Sequence, residues 1–221
     1  MPRESFHRHL LELQNEVLVM GAMVDKAIYR SVEALKQRDL GAAEQVIADD
    51  RVIDQKRYDI EEMCIGLIAT QQPMAGDLRV IVTVLNIIVE LERMADHAEG
   101  IARIALMLGD EPPLKPLIDI PRMAEKARDM LRQSLGAFTN RDIECAKRIC
   151  AEDDEMDNLY DQVYRELLTF MIEDPKTITR ATRLVWVAHN LERIADRTTN
   201  ICERVIFLVT GKLEEIGSSK Y

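Results

Sequence analysis

Across its 221 residues the chain carries 39 acidic and 29 basic side chains, and the formal net charge of −10 argues against a nucleic-acid partner, because binding phosphates needs a basic face. Hydrophobic residues make up 47% of the chain, with only 9 Gly and 7 Pro, which is typical of long soluble helices and not of a turn-rich β protein. The longest uncharged apolar run, 80–89, is about half of what spans a bilayer, so we predict no transmembrane segment.

Hydrophobic side chains recur with the 3.6-residue period of helices through the first half of the chain. Asp39 is predicted to cap the second helix, and Gln72-Pro73 is predicted to break it. The segment 111–121 is predicted to be a linker, because it is too rich in proline to be helical. The predicted helices are 4–37, 39–70 and 76–109. They form a first three-helix repeat, predicted over 1–110.

The same order of elements returns after the linker. Asp142 is predicted to cap the fifth helix as Asp39 caps the second, Asp174-Pro175 to break it, and Gly211 to stop the sixth. The predicted helices are 122–138, 142–173 and 177–210. They form a second three-helix repeat, predicted over 122–221.

Sequence identity between the two halves supports this duplication. LERMADHAEGI at 91–101 returns as LERIADRTTNI at 191–201, with six of eleven positions identical. Acidic residues of the preceding helix also match, at an offset of 103 that falls to 100 across the turn, as a three-residue deletion in a loop would produce. Because short connections make successive helices antiparallel neighbours, we predict an all-α fold of two tandem, symmetry-related antiparallel three-helix bundles with six long helices. Their long exposed faces favour a homodimer.

The cysteines and the N-terminus predict where the protein resides. No two of the four cysteines form a CxxC motif, and all four lie in apolar helical stretches. This pattern is typical of buried, reduced thiols in a cytosolic protein. The N-terminal residues also lack the apolar core of a secretory signal. We therefore expect a cytoplasmic location.

Each repeat carries two pairs of carboxylates spaced four residues apart, one pair on its second helix and one on its third. The eight residues are Asp50, Asp54, Glu92 and Asp96 in the first repeat, and Asp153, Asp157, Glu192 and Asp196 in the second. Like charges at this spacing repel, because they share one helix face. Antiparallel packing would bring four of them to one level of each bundle.

Two interpretations of these clusters stay open. One is a solvated acidic face, the commonest outcome for charge clusters on helices. The other is a cation site, because closely packed carboxylates raise one another's pKa unless a cation intervenes. All-oxygen ligands favour Mg²⁺, Ca²⁺, Mn²⁺ or Fe³⁺ over metals that prefer softer ligands. Oxygen donors do not choose among them, so iron, magnesium, manganese, calcium and zinc all stay open as the bound metal.

Residues beside the clusters have more ordinary interpretations. Arg93 and Arg193 follow each Glu, and ion pairing with a neighbouring carboxylate is the favoured role. Trp186 is predicted to be a core or interface residue. His97 and His189 each occur in only one repeat, which argues against a shared role as metal ligands.

The duplicated unit, with its acidic pair on helix two and LERMAD or LERIAD on helix three, resembles the PhoU family of bacterial phosphate-signalling proteins. QPMAGDLR at 72–79 and EPPLKP at 111–116 also resemble family members, and the likeness covers nearly all of the chain.

The resemblance implies two symmetry-related bundles that carry metal clusters, with the eight carboxylates above as ligands. It further implies a negative regulator of the phosphate-starvation response, located in the cytoplasm at the inner face of the membrane. Its implied partners are the ATPase of the high-affinity phosphate ABC transporter and a membrane sensor histidine kinase. One departure concerns Gly100, which stands where the second repeat, like many family members, has Asn200. We expect the two metal sites to differ for this reason.

Two other functions remain as alternatives. A carboxylate-bridged di-iron enzyme usually needs two Glu-x-x-His motifs on different helices, and the chain offers this spacing only at Glu4 and His7. A purely structural helical scaffold would be indifferent to chelators. The sequence favours a non-enzymatic, metal-binding signalling adaptor over both.

Overall fold

The computed structural model describes residues 2–213, with side chains from Phe6 onward. Within this range the chain forms six α-helices and one short 3₁₀ turn, Pro175–Thr177, and contains no strand. The helices are α1 (Pro2–Gln37), α2 (Leu40–Gln71), α3 (Ala75–Leu108), α4 (Asp119–Asn140), α5 (Ile143–Glu173) and α6 (Ile178–Thr210). The predicted all-α fold of two three-helix bundles is confirmed.

The turn between the first two helices of each repeat has the same geometry in both halves. Arg38 and Arg141 adopt left-handed backbone conformations, with φ of 58° and 55°. The next residue in each repeat is an aspartate whose carboxylate accepts a hydrogen bond from a backbone N–H of the new helix. The distances are 2.9 Å from Asp39 to Ala42 N and 3.0 Å from Asp142 to Cys145 N. These carboxylates satisfy donors that a helix start leaves without partners.

We predict that Asp39→Ala and Asp142→Ala each lower the free energy of unfolding by about 1 kcal/mol, because each removes the only side-chain acceptor described at its helix start. Urea denaturation followed by circular dichroism measures the loss. Asp39→Asn is the control, since asparagine also caps well, and it should stay close to the unmodified protein. Equal losses from the Asn and Ala variants at position 39 would contradict a capping role.

Both bundles share a single hydrophobic core. Within each repeat the three helices pack on one another, and between repeats α3 packs along α6 and α1 along α4. The buried apolar residues of all six helices form one continuous cluster. α3 and α6 therefore lie at the centre of the molecule, and each of them carries one of the repeated Glu-x-x-x-Asp pairs. No helix within residues 2–213 is long and apolar enough to cross a membrane.

The contact between α1 and α4 depends on close approach and on charge. A Cβ atom at Gly21 would collide with Cδ1 of Leu135, so the leucine side chain of α4 packs directly on the glycine of α1. Near this crossing, Arg128 donates two hydrogen bonds of 3.0 Å to the two carboxylate oxygens of Asp25. Asp25 and Arg128 occupy equivalent positions of the two repeats, so this bidentate pair links the bundles across their pseudo-symmetry axis.

The second repeat begins earlier than its sequence predicts. α4 starts at Asp119, and its first turn lies inside the predicted linker 111–121. Pro121 was expected to prevent helix here, but a proline within the first turn lacks only an N–H that has no helical partner. The non-helical joint is therefore residues 109–118. The exact repeat limits, 1–110 and 122–221, stay a prediction.

Candidate metal centres

The four carboxylates of the first repeat lie within electrostatic range of one another. Asp50 and Asp54 are on α2, and Glu92 and Asp96 are on α3, which packs against it. Burial raises the pKa of Asp50 to about 6, and the negative charges of Asp54, Glu99, Asp96 and Glu92 add to this effect. The pKa values of Glu92 and Asp96 are also raised, in both cases first by burial and then by a neighbouring carboxylate. Antiparallel packing thus brings the predicted pairs to one level.

The second repeat shows the same arrangement with deeper burial. Burial raises the pKa of Asp153 to about 6, and Asp157 and Asp196 are the strongest of the charges that raise it further. Glu192 reaches a pKa of about 7, again chiefly through burial, while the positive charge of Arg193 opposes the rise. Both clusters therefore hold carboxyl groups that lose their protons at a higher pH than ordinary Asp and Glu side chains do.

The clusters contain oxygens that lack a partner. Among the described residues, Oδ1 of Asp50 and Oε2 of Glu192 are buried and accept no hydrogen bond, so each repeat contributes one such atom. Buried carboxylate oxygens without partners are costly, and a hard cation would satisfy them. The all-oxygen donor set thus fits a hard cation chemically.

The clusters do not form preorganised metal sites in this conformation. Within residues 2–213 no three His, Cys, Asp or Glu side chains converge closely enough to hold one ion. Coordination by several of these carboxylates would require their side chains to rotate toward one another. The structure brings the eight predicted residues together in two groups of four, and metal binding by them stays a proposal.

Basic side chains already offset part of each cluster. Arg193 pairs with Asp196 at 3.1 Å, which confirms the predicted ion pairing of this arginine. Arg93 is exposed, and its charge opposes the rise in the pKa of Glu92 and Asp96. In the first repeat Nη1 of Arg57 also lies 4.0 Å from Oε1 of Glu92.

Two members of the first cluster were missed by sequence reasoning. Arg57 reaches Glu92 from the neighbouring helix, and the negative charge of Glu99 raises the pKa values of both Asp50 and Asp96. A signal existed for Glu99, which follows Asp96 by three residues and so shares its helix face. No sequence signal identified Arg57, because its contact depends on the register between α2 and α3.

Comparison with known proteins identifies the family. A profile described as "PhoU domain" matches residues 17–105 and 120–205, most of the chain and once in each repeat. The chain belongs to the PhoU family. Two relatives named "Phosphate-specific transport system accessory protein PhoU homolog" come from Clostridium acetobutylicum and Aquifex aeolicus. The former is 42% identical over 98% of this chain and 100% of the relative, the latter 43% over 93% of each.

Solved PhoU structures share the whole fold. PhoU from Pseudomonas aeruginosa is 34% identical, with a TM-score of 0.88 over 94% of this chain and 100% of that one. The phosphate transport system regulatory protein PhoU from Streptococcus pneumoniae is 31% identical, with a TM-score of 0.88 over 95% of this chain and 99% of that one. This PhoU-family chain thus has the architecture of proteins whose names describe accessory or regulatory roles and no enzymatic activity.

The difference between Asn200 and Gly100 has a structural role at the contact between the two PhoU repeats. Nδ2 of Asn200 donates a hydrogen bond of 3.1 Å to Glu90 across the α3–α6 contact, and Nη1 of Arg197 lies 3.3 Å from the same carboxylate oxygen. At the equivalent contact a Cβ on Gly100 would lie 3.2 Å from Oδ1 of Asn190. The contrast thus has a role in inter-repeat packing, and our expectation that it makes the metal sites unequal stays a prediction.

The remaining predictions near the PhoU clusters have mixed outcomes. Trp186 is 51% exposed, so it is not a core residue, and an interface role stays a prediction. His97 donates from Nδ1 to Oδ1 of Asn190 at 2.9 Å, which gives it a structural partner. Glu4, the acidic half of the only Glu-x-x-His spacing, lies outside the residues whose side chains the structure describes.

Proposed function

We propose that this PhoU-family chain is a negative regulator of the phosphate-starvation response and of phosphate transport. It would act as a non-enzymatic adaptor in the cytoplasm, peripheral to the inner membrane face. There it would couple the ATPase of the high-affinity phosphate transporter to a membrane sensor histidine kinase. Support comes from relatives named as accessory proteins of the phosphate-specific transport system and from a solved relative described as a regulatory protein.

The observation that carries the proposal is the pair of equivalent carboxylate clusters on half-exposed faces of helices that share one hydrophobic core. In each repeat two adjacent helices hold two carboxylates each, and one buried oxygen per cluster has no hydrogen-bond partner. Such clusters suit a protein that binds cations and presents charge to partners. They lack the second Glu-x-x-His motif that a di-iron enzyme would use, which supports an adaptor over that alternative.

The metal in this proposal is either iron or one of magnesium, manganese, calcium and zinc, and the oxygen donors favour the harder cations over zinc. Its proposed ligands in the first repeat are Asp50, Asp54, Glu92 and Asp96. Its proposed ligands in the second repeat are Asp153, Asp157, Glu192 and Asp196. The bound cation would supply positive charge that neutralises the carboxylates and lets two neighbouring helices pack without repulsion. The protein's own contribution is to hold the two carboxylate pairs of each repeat at one level.

Gene deletion tests the regulatory role. We expect that deleting the gene in the organism that carries it makes a phosphate-starvation promoter active even in phosphate-rich medium, as a reporter fusion would show. Restoring the gene should silence the reporter. A gene that carries the double variant Asp96→Asn with Asp196→Asn should silence the reporter less well, because the variant lacks one carboxylate of each proposed metal site.

A matched control separates the clusters from acidic charge in general. Asp59→Asn with Asp161→Asn changes an exposed carboxylate on α2 and a half-exposed one on α5, both outside the clusters. This control should silence the reporter as well as the unmodified gene does. A reporter that stays phosphate-responsive after deletion would refute the regulatory role. Light scattering on the same purified proteins tests the homodimer that we include in the proposal.

A further inference from the structure

An exposed strip of aromatic rings runs along the second repeat between α5 and α6. The rings of Tyr160 and Tyr164 lie 6.3 Å apart at 28° to each other, and the rings of Tyr160 and His189 lie 6.1 Å apart. Trp186 is one helical turn from His189 on α6. Because α5 and α6 are antiparallel, Trp186 lies at the level of Tyr164. We call Tyr160, Tyr164, Trp186 and His189 the aromatic strip.

The strip is accessible and borders the second acidic cluster. Tyr164 is 41% exposed and Trp186 is 51% exposed, although large aromatic side chains bury much apolar surface when they are covered. His189 Nδ1 lies 3.5 Å from Oε2 of Glu192. Asp157 precedes Tyr160 by three residues, so it shares that helix face. The face therefore joins flat π surfaces to a group of carboxylates.

The first repeat shows which group such a place accepts. The position equivalent to Tyr160 is Arg57, whose guanidinium lies 4.0 Å from Glu92 and 3.4 Å from Glu61. The chain thus supplies its own arginine to the glutamate of the first cluster. The second repeat has tyrosine in that place. In its equivalent glutamate, Glu192, the buried Oε2 has Nδ1 of His189 at 3.5 Å but accepts no hydrogen bond within the described residues.

We propose that the aromatic strip and Glu192 form a docking surface for an arginine-bearing segment of a partner protein. The partner's guanidinium would take beside Glu192 the place that Arg57 holds beside Glu92. Arginine fits this surface better than lysine, because its planar guanidinium stacks on aromatic rings and bonds carboxylates in a bidentate way. The inference rests on the proposed adaptor function, since it gives the adaptor a surface for its partner, and the guanidinium and the proposed cation would be alternative occupants beside Glu192.

A synthetic peptide tests the proposal on the full chain. The probe is a decapeptide that alternates arginine with leucine and glycine, with both termini blocked, in buffer containing a chelator so that no metal competes. Trp186 is the only tryptophan of the chain, so its fluorescence reports binding at the strip, and calorimetry gives the affinity. We expect binding to change the emission of Trp186, and replacing arginine by lysine to weaken binding by roughly 2- to 30-fold.

The pseudo-symmetry of the chain supplies the decisive variants. Tyr160→Arg copies the arrangement of the first repeat and should abolish binding at the strip, because the chain then provides its own guanidinium. Arg57→Tyr should release Glu92 from its arginine without adding a second binding site, because the positions equivalent to Tyr164, Trp186 and His189 are Glu61, Asn86 and Val89. Tyr164→Ala removes one stacking face and should weaken binding. The last change is to a partly exposed residue, so circular dichroism should show an intact helical fold.

Controls decide between this surface and general attraction to an acidic protein. Tyr58 is an exposed tyrosine on α2 that lies outside the strip, and Tyr58→Ala should leave the affinity unchanged. The proposal is overturned if Tyr160→Arg and Tyr164→Ala bind the peptide as tightly as the unmodified chain. It is also overturned if Tyr58→Ala weakens binding as much as Tyr164→Ala. Peptide binding and the reporter response are independent measurements. A reporter that still responds to phosphate after gene deletion would refute the adaptor function, while peptide binding would still support the docking surface.

Discussion

Adding Mn²⁺ or Mg²⁺ to metal-free protein at pH 7.5 is expected to raise the melting temperature, and the rise should shrink at pH 5. A cation that binds only the folded state at a hundred times its Kd adds about 2.7 kcal/mol of stability. For a chain of this size that corresponds to a shift of about 5–10 °C. Protons compete with the cation, because the pKa values of Asp50, Asp153 and Glu192 are raised to about 6, 6 and 7. Calorimetric melting at the two pH values measures the effect.

Without a cation, the stability of the protein itself should fall as the pH rises, whereas the stabilisation by a cation grows. Carboxyl groups with raised pKa values bind protons more tightly in the folded state than in the unfolded state, where their pKa is about 4. The corresponding stability is present below pH 4 and is lost as the pH rises through 6 and 7. These groups should therefore make metal-free protein melt at a lower temperature at pH 7.5 than at pH 5.

Neutral variants separate the two clusters from each other. Asp50→Asn removes a carboxylate with a strongly raised pKa from the first cluster, and Glu192→Gln does the same in the second. Each variant should flatten the pH dependence and reduce the effect of the cation, while Asp59→Asn, outside the clusters, should not. A cation effect of unchanged size in both cluster variants would contradict the ligand assignment. Melting that ignores both cation and chelator would favour a purely structural scaffold.

Features set by neighbouring residues along the chain could be predicted from the sequence. Asp39 and Asp142 cap their helices as expected, because a cap depends on a few consecutive residues. Short loops and antiparallel packing also predicted that the two carboxylate pairs of each repeat lie at the same height along the bundle. Even the exception at Pro121 is local, since the rule for proline inside a helix does not apply to its first turn.

Contacts that depend on register between helices could not be predicted. The approach of Arg57 to Glu92 requires knowing how α2 is rotated against α3, and the link from Glu90 to Asn200 requires knowing that α3 packs on α6. The same limit applies to Asn200, whose hydrogen bond to Glu90 of the other repeat has no signal in the sequence. A residue one turn from an acidic pair can face the cluster or the neighbouring repeat, and hydrophobic periodicity does not decide between them.

Glu90→Ala is expected to be strongly destabilising, because Glu90 joins the two repeats at the centre of the molecule. Its carboxylate accepts from Asn200 at 3.1 Å and lies 3.3 Å from Nη1 of Arg197, and the side chains of Glu90 and Arg197 are only 15% and 18% exposed. Removing the acceptor leaves a largely buried guanidinium uncompensated. We expect the free energy of unfolding to fall by about 2–3 kcal/mol, as measured by urea denaturation.

The equivalent position of the second repeat supplies the comparison for Glu90. Asn190→Ala removes neutral hydrogen bonds to His97 and to the backbone of Trp186, so its cost should be smaller, about 1 kcal/mol. Because the two repeats share one core, both variants should still unfold in a single transition. A loss in Glu90→Ala no larger than in Asn190→Ala would show that the charged contact adds nothing to the packing of α3 on α6. Two separate transitions would show instead that Glu90 holds together repeats that can fold independently.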